Sequence, residues 1–136
     1  MRRSFRGAFA LTLLVALGAA RAEDLTPEAS AAFTTMKKAL ESGDVDAAVA
    51  AGERAVKLAP SSAEVFHWMG RSYGSKALEA SIFTRISWGK KCRDAWEKAA
   101  RLEPTNIGVR MDLIRFHMNL DRHVGRKPVL GNHGGQ

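Results

Sequence analysis

Two prolines, Pro60 and Pro104, fence off a segment that opens on Ala63 to Tyr73, A-E-V-F-H-W-M-G-R-S-Y. A proline lacks the amide hydrogen that a helix interior needs and its ring clashes with the preceding turn, so no long helix runs through either position. Inside the fence, Phe66, Met69, Gly70 and Tyr73 recur at i, i+3, i+4 and i+7. That spacing puts them on one face of a helix, with the glycine where another backbone is expected to come close. A face of this kind has to be covered by other helices, which makes the expected fold class all-α.

The flanking chain carries matching punctuation. Thr26-Pro27-Glu28 reads as a helix start, with Thr26 as N-cap, Pro27 at the first helical position and Glu28 favourable to the dipole. This helix should run to about Glu41 and end at Gly43, which supplies a left-handed residue. Asp44 caps a second, alanine-rich helix from Val45 to Ala59, stopped by Pro60. Ser61-x-x-Glu64 has the spacing of a capping box for the third helix, which carries the opening segment past Tyr73 through Ala77 and Leu78, as far as Ile82. The pattern breaks around Thr84 to Gly89. A fourth helix is expected from about Lys90 to Leu102, and a fifth, capped by Thr105 or Asn106, carries Met111, Leu113, Ile114, Phe116 and Leu120. Residues 121–136, with four glycines, Pro128 and no periodicity, read as a flexible tail.

The first residues have a different purpose. Arg2, Arg3 and Arg6 precede an apolar run from Ala8 to Ala20, and Ala20-Arg21-Ala22 is a small-x-small cleavage site. Residues 1–22 are therefore expected to be a cleavable signal peptide, cut after Ala22, which sends the chain to the periplasm or out of the cell. The run is shorter than the ~20 residues of a bilayer span, which disfavours an anchor. The segment takes four of the 21 basic residues and none of the 14 acidic ones, leaving a net charge of +3. Nucleic acid is then no longer an expected partner. Cys92 is the single cysteine, so no internal disulfide forms and helix packing alone must hold the fold.

With Ala29 as the start of one unit and Ala63 as the start of the next, the spacing is 34 residues. Ala48, Ala55 and Pro60 then occupy two small positions and a closing proline in the first unit. In the second unit, Phe66, Met69, Gly70 and Tyr73 are followed by Cys92, Trp96, Ala99 and Pro104. In these residues the segment from Ala29 to Leu120 resembles the tetratricopeptide repeat, a pair of antiparallel helices of about 34 residues. With its leader, the chain looks like exported bacterial proteins of that family. The resemblance implies an α-solenoid of antiparallel helix pairs over residues 23–120, about two and a half units. Three features depart from the pattern. Met36 stands at a position the family keeps small. Pro60 to Pro104 spans 44 residues, so the second unit is expected to have lengthened helices joined by a protruding tip. The third unit has only its first helix, so Leu113, Ile114, Phe116 and Leu120 are expected to form an uncapped end face for self-association or assembly.

The family's ligand groove is lined by the first helix of each unit, and the resemblance projects that surface onto Phe33, Thr34 and Lys37, then His67, Trp68 and Arg71, then Met111, Asp112 and Arg115. Lys37, Arg71 and Arg115 would form a basic ladder beside Phe33, Trp68 and Met111, suited to a protein or peptide partner with acidic groups. The family's two-carboxylate clamp is not reproduced, since Phe33, Gly108 and Asp112 stand where it needs basic residues. At the tip, Ile82, Phe83, Ile86 and Trp88 interleave with Arg85, Lys90, Lys91 and Arg93. Residues 82–93 could touch an anionic membrane, but packing between the lengthened helices is the favoured reading. No chemistry is indicated. The four histidines share no ligand spacing, Cys92 occupies a small packing slot, and there is no phosphate loop, nucleophile elbow or paired-carboxylate motif, so neither a metal nor a cofactor is expected and the chain reads as non-catalytic.

Overall fold

The computed structural model describes residues 25–124, so the expected signal peptide lies outside the described residues, as does the tail beyond Val124. Five helices follow one another: α1 (Pro27–Ser42), α2 (Val45–Leu58), α3 (Ala63–Glu79), α4 (Ile82–Leu102) and α5 (Ile107–Val124). No strand occurs among the described residues. The expected end of the domain at Leu120 falls inside α5, which continues to Val124.

The start and stop signals act where they were read except at the start of α3 and at the α3–α4 turn. Thr26 Oγ1 accepts from the Ala29 amide at 3.2 Å and Asp44 Oδ1 from the Ala47 amide at 3.0 Å. Gly43 adopts φ 81°, and the amides of Gly43 and Asp44 donate to the carbonyls of Leu40 and Ala39. This is the paired closure that a left-handed residue makes available. Asn106 caps α5 through Oδ1, which accepts from the Val109 amide at 3.1 Å. At α3 the cap is Ser62, whose Oγ accepts from the Val65 amide, and not Ser61.

Neighbouring helices pack on one another along the chain, α3 with α4 most extensively, then α1 with α2 and α2 with α3; α1 also meets α3, and α5 rests on α4. The first core holds Met36, Met69, Val65 and the alanines of α1 and α2. Met36, the expected misfit, is fully buried because α2 offers it no side chain at Gly52: an ideal Cβ there would lie 2.7 Å from Met36 Sδ and overlap Met69 Sδ. The second core, between α3 and α4, is built on Cys92, Ala95, Ala99 and Ser72. Gly70 receives not a neighbouring backbone, as expected, but the indole of Trp96, which an added Cβ would overlap. The ring is held there because Trp96 Nε1 donates to the His67 carbonyl at 3.1 Å. Phe66 and Tyr73, expected in the core ridge, are half-buried, and Val65 and Ser72 take the deep positions.

The expected break at Thr84 to Gly89 is helix throughout; the chain turns at Ala80 and Ser81 instead. Arg85 makes this turn possible without glycine or proline. Its guanidinium reaches back from α4, Nε donating to the Ala77 carbonyl at 3.2 Å and Nη2 to the Ala80 carbonyl at 3.3 Å. Carbonyls left orphaned at the end of α3 are thereby satisfied by a side chain from the next helix. Most of the extra length of this pair lies in α4, which has 21 residues against 14 in α2.

Candidate partner-binding surface

The surface begins at Trp68, half-buried on α3 against the first core. Lys37, from α1, brings Nζ to 4.9 Å from the centre of the Phe33 ring and 5.5 Å from Trp68, and Arg71 places its guanidinium carbon 4.5 Å from Trp68. A cation over an aromatic face at an exposed site contributes ~0.5–1 kcal/mol. It also fixes two long side chains that would otherwise sample many rotamers. Among the described residues neither Lys37 nor Arg71 pairs with a carboxylate. The two cations and the indole form a preorganised patch whose positive charge no carboxylate among the described residues neutralises.

Phe33 itself is buried and supports Lys37 from beneath, so it belongs to the core under the surface. The third expected rung is built differently. Arg115 Nη1 lies 3.5 Å from Asp112 Oδ1, and the other carboxylate oxygen lies 2.8 Å from His67 Nε2. His67 and Asp112 are both largely shielded, and their contact joins α3 to α5. Sequence reading placed these three residues on one face but gave no sign that Asp112 would be shared between the other two. The expected ladder is thus two free cations beside an internally paired third. Thr34 is exposed at its margin.

Met111 stands apart from both clusters. It is exposed on α5 with Ile107, Ile114 and Met118, a stripe at i, i+4, i+7 and i+11 whose members are 42 to 74% exposed. Leu113 and Phe116 were expected to share an uncovered end face with Ile114, but both are half-buried. Phe116 meets Trp96 edge to face, ring centres 6.1 Å apart. The exposed stripe is consequently rotated from the expected one because the indole of Trp96 claims Phe116. The Leu120 side chain lies outside the described residues.

At the α3–α4 turn the expectation of packing is also overturned. Ile82, Phe83 and Ile86 point into solvent. Only Trp88 turns inward, 5.9 Å from Tyr73, with Lys91 Nζ 4.4 Å from its ring. Among the described residues no helix covers these side chains at the start of α4.

Two acidic groups, one buried and one half-buried, titrate above their ordinary range. Burial, with a smaller contribution from the charge of Asp112, pushes the Cys92 thiol up to about 12. A thiol held in that form is a packing atom and a poor nucleophile. Burial also pushes the Tyr73 phenol up to about 12, aided by the charge of Glu53 and by the hydrogen bond that Tyr73 Oη donates to Glu53 Oε1 at 3.2 Å. Among the described residues no group of three or more His, Cys, Asp or Glu side chains is placed to hold a metal ion. A depression of about 270 Å³ between α1 and α2, lined by Glu28, Thr35, Arg54 and three alanines, shares no residue with the Trp68 surface. No helix among the described residues is long and apolar enough to cross a membrane. No family model, curated protein or solved structure matches the chain.

Proposed function

We propose that this chain is an exported, non-catalytic binding module of the tetratricopeptide type, an α-solenoid of antiparallel helix pairs, that holds an extended acidic segment of a protein partner across α1 and α3. The observation that carries this reading is the pair of cations, Lys37 and Arg71, stacked on the half-buried Trp68 and without a carboxylate partner among the described residues. A carboxylate approaching Trp68 would find a guanidinium and an ammonium already desolvated on one side, which favours charge-assisted hydrogen bonds. Arg71 suits a planar, bidentate contact and Lys37 a point contact. The reversed order of the α3–α4 contacts, Gly74 against Cys92 and Gly70 against Trp96, supports the antiparallel pairing. The leader at residues 1–22 supports release into the periplasm or the medium.

The test begins with peptides selected from a random display library on the full chain. Sequences rich in Asp and Glu are expected, and Arg71→Glu should weaken their binding about tenfold or more, the loss of a charge-assisted contact replaced by repulsion. Unchanged affinity in that variant refutes the reading.

A second reading, an assembly subunit, is favoured by the exposed stripe Ile107, Met111, Ile114 and Met118. Its spacing is that of a coiled-coil seam. Sedimentation at micromolar concentration discriminates: a monomer excludes self-assembly through this face, whereas a dimer abolished by Ile114→Glu establishes it.

A further inference from the structure

We infer that the apex of the α3–α4 pair is a peripheral contact for an anionic lipid surface, inserted by Leu78, Ile82, Phe83 and Ile86. These four side chains are 71 to 90% exposed and cluster at one turn. Scattered apolar residues on a surface need no explanation, but a contiguous set of large ones does.

The distribution around the apex selects the occupant. Ile82 and Ile86 share one face of α4, Phe83 is displaced from them by about 100° around the axis, and Leu78 belongs to the other helix of the pair. A partner helix or a groove covers one face and would leave part of this set in water. A bilayer surrounds a projecting apex and covers the whole set. The turn is also stiff, because Arg85 clamps the Ala77 and Ala80 carbonyls and Ser81 Oγ meets Thr84 Oγ1 at 3.1 Å. The apolar side chains therefore project from a fixed scaffold and lose little backbone freedom on insertion.

The charges are placed for headgroups. Lys76 is paired with Asp46, and Arg93 with Asp94 and Glu97, whereas Arg85, Lys90 and Lys91 form no ion pair among the described residues. Lys90 lies one turn beyond Ile86, a rise of about 6 Å along the helix. Interfacial insertion reaches about 5–10 Å, so burying the apex brings Lys90 and Lys91 to phosphate depth. Trp88, on which Lys91 rests, would then sit at the level where amphipathic rings concentrate. Each cation near an anionic surface adds attraction that falls off within about a Debye length, so binding must weaken with salt.

The test uses the full chain carrying Ser87→Cys, labelled with a polarity-sensitive dye. Cys92 is buried and its thiol is held protonated, so labelling is confined to the new site. Vesicles of phosphatidylglycerol and phosphatidylcholine should shift the dye emission to the blue, and phosphatidylcholine alone should not. The same dye at Thr105→Cys, on the far side of the domain, should not respond, which separates the apex from any binding by the apolar run at residues 8–20. Adding Phe83→Ser and Ile86→Ser, both at exposed positions, should remove most of the shift while circular dichroism stays unchanged. An unshifted Ser87→Cys probe, a shift that survives the two serines, or shielding by soluble protein without any response to vesicles overturns the inference. The Trp68 surface takes no part in this readout, so its failure and that of the peptide reading remain distinguishable.

Discussion

Gly70→Ala sets helix propensity against packing, and the two have opposite signs. Alanine in a helix interior is favoured over glycine by ~0.8–1 kcal/mol, so a solvent-facing Gly70 would be improved by the change. Here the new methyl would overlap Cδ1 and Nε1 of Trp96 and lie 2.9 Å from Cγ, all atoms of one rigid ring. The indole must move as a body, which carries an overpacking cost of ~1–3 kcal/mol. Moving it also weakens the hydrogen bond from Trp96 Nε1 to the His67 carbonyl, worth ~0.5–1.5 kcal/mol. The balance is a destabilisation of about 1–3 kcal/mol, and for a domain of this size each kcal/mol lowers Tm by ~4–8 °C. Thermal and urea unfolding followed by far-ultraviolet circular dichroism would measure it, with Gly74→Ala as control. A Cβ at Gly74 meets only Cys92 Sγ at 3.4 Å, ordinary contact, so that variant should be neutral or stabilised. A Gly70→Ala protein as stable as the parent, or a Gly74→Ala protein that loses as much, would show that the Trp96 seat does not control this part of the core.

Cys92 should remain unmodified by iodoacetamide in the folded chain and react fully in urea; native reactivity would contradict its burial. Because the folded state holds the Cys92 thiol and Tyr73 phenol protonated, their contribution is complete below about pH 9 and is lost as pH rises toward 12, from ordinary values of 9.0 and 10.0 to about 12 for each. Urea midpoints should therefore decline across that interval, and Cys92→Ser should flatten the lower part of the decline; a flat parent profile would refute the assignment. Gly43→Ala forces a side chain into φ 81° with open space around it, so the cost is backbone strain alone, about 1 kcal/mol. An unchanged Tm in that variant would refute a required left-handed closure.

The five helices and most of their caps were legible because a cap is a local event. Thr26, Asp44 and Asn106 each bind an amide three residues ahead, and Gly43 ends α1 by its own backbone freedom. The α3–α4 turn was misread because its determinant is remote: Arg85 stabilises a turn that lacks glycine and proline, while Gly89, which suggested a break, sits inside α4. Gly70 announced a close approach, but spacing could not say that a ring, and not a backbone, would make it. In the candidate surface, Lys37 and Arg71 lie over Trp68, a juxtaposition that depends only on which faces of α1 and α3 meet. The sharing of Asp112 depends on how α5 lies across α3, a tertiary angle with no local signal. Phe33, one turn before Lys37 on α1, is taken into the core cluster, which spacing along α1 alone did not decide.

The cleft left by Gly52 makes three positions on three helices behave as one. Met36 and Met69 converge where α2 carries no side chain, so their volumes and that of residue 52 are constrained only as a sum. A larger residue at 52 would be tolerated after trimming position 36 or 69 and rejected alone, and the separate effects would not add. Sequence drift in this chain is then a matter of exchanging bulk among helices, and a substitution that looks disruptive at one of these sites has its compensation in another helix.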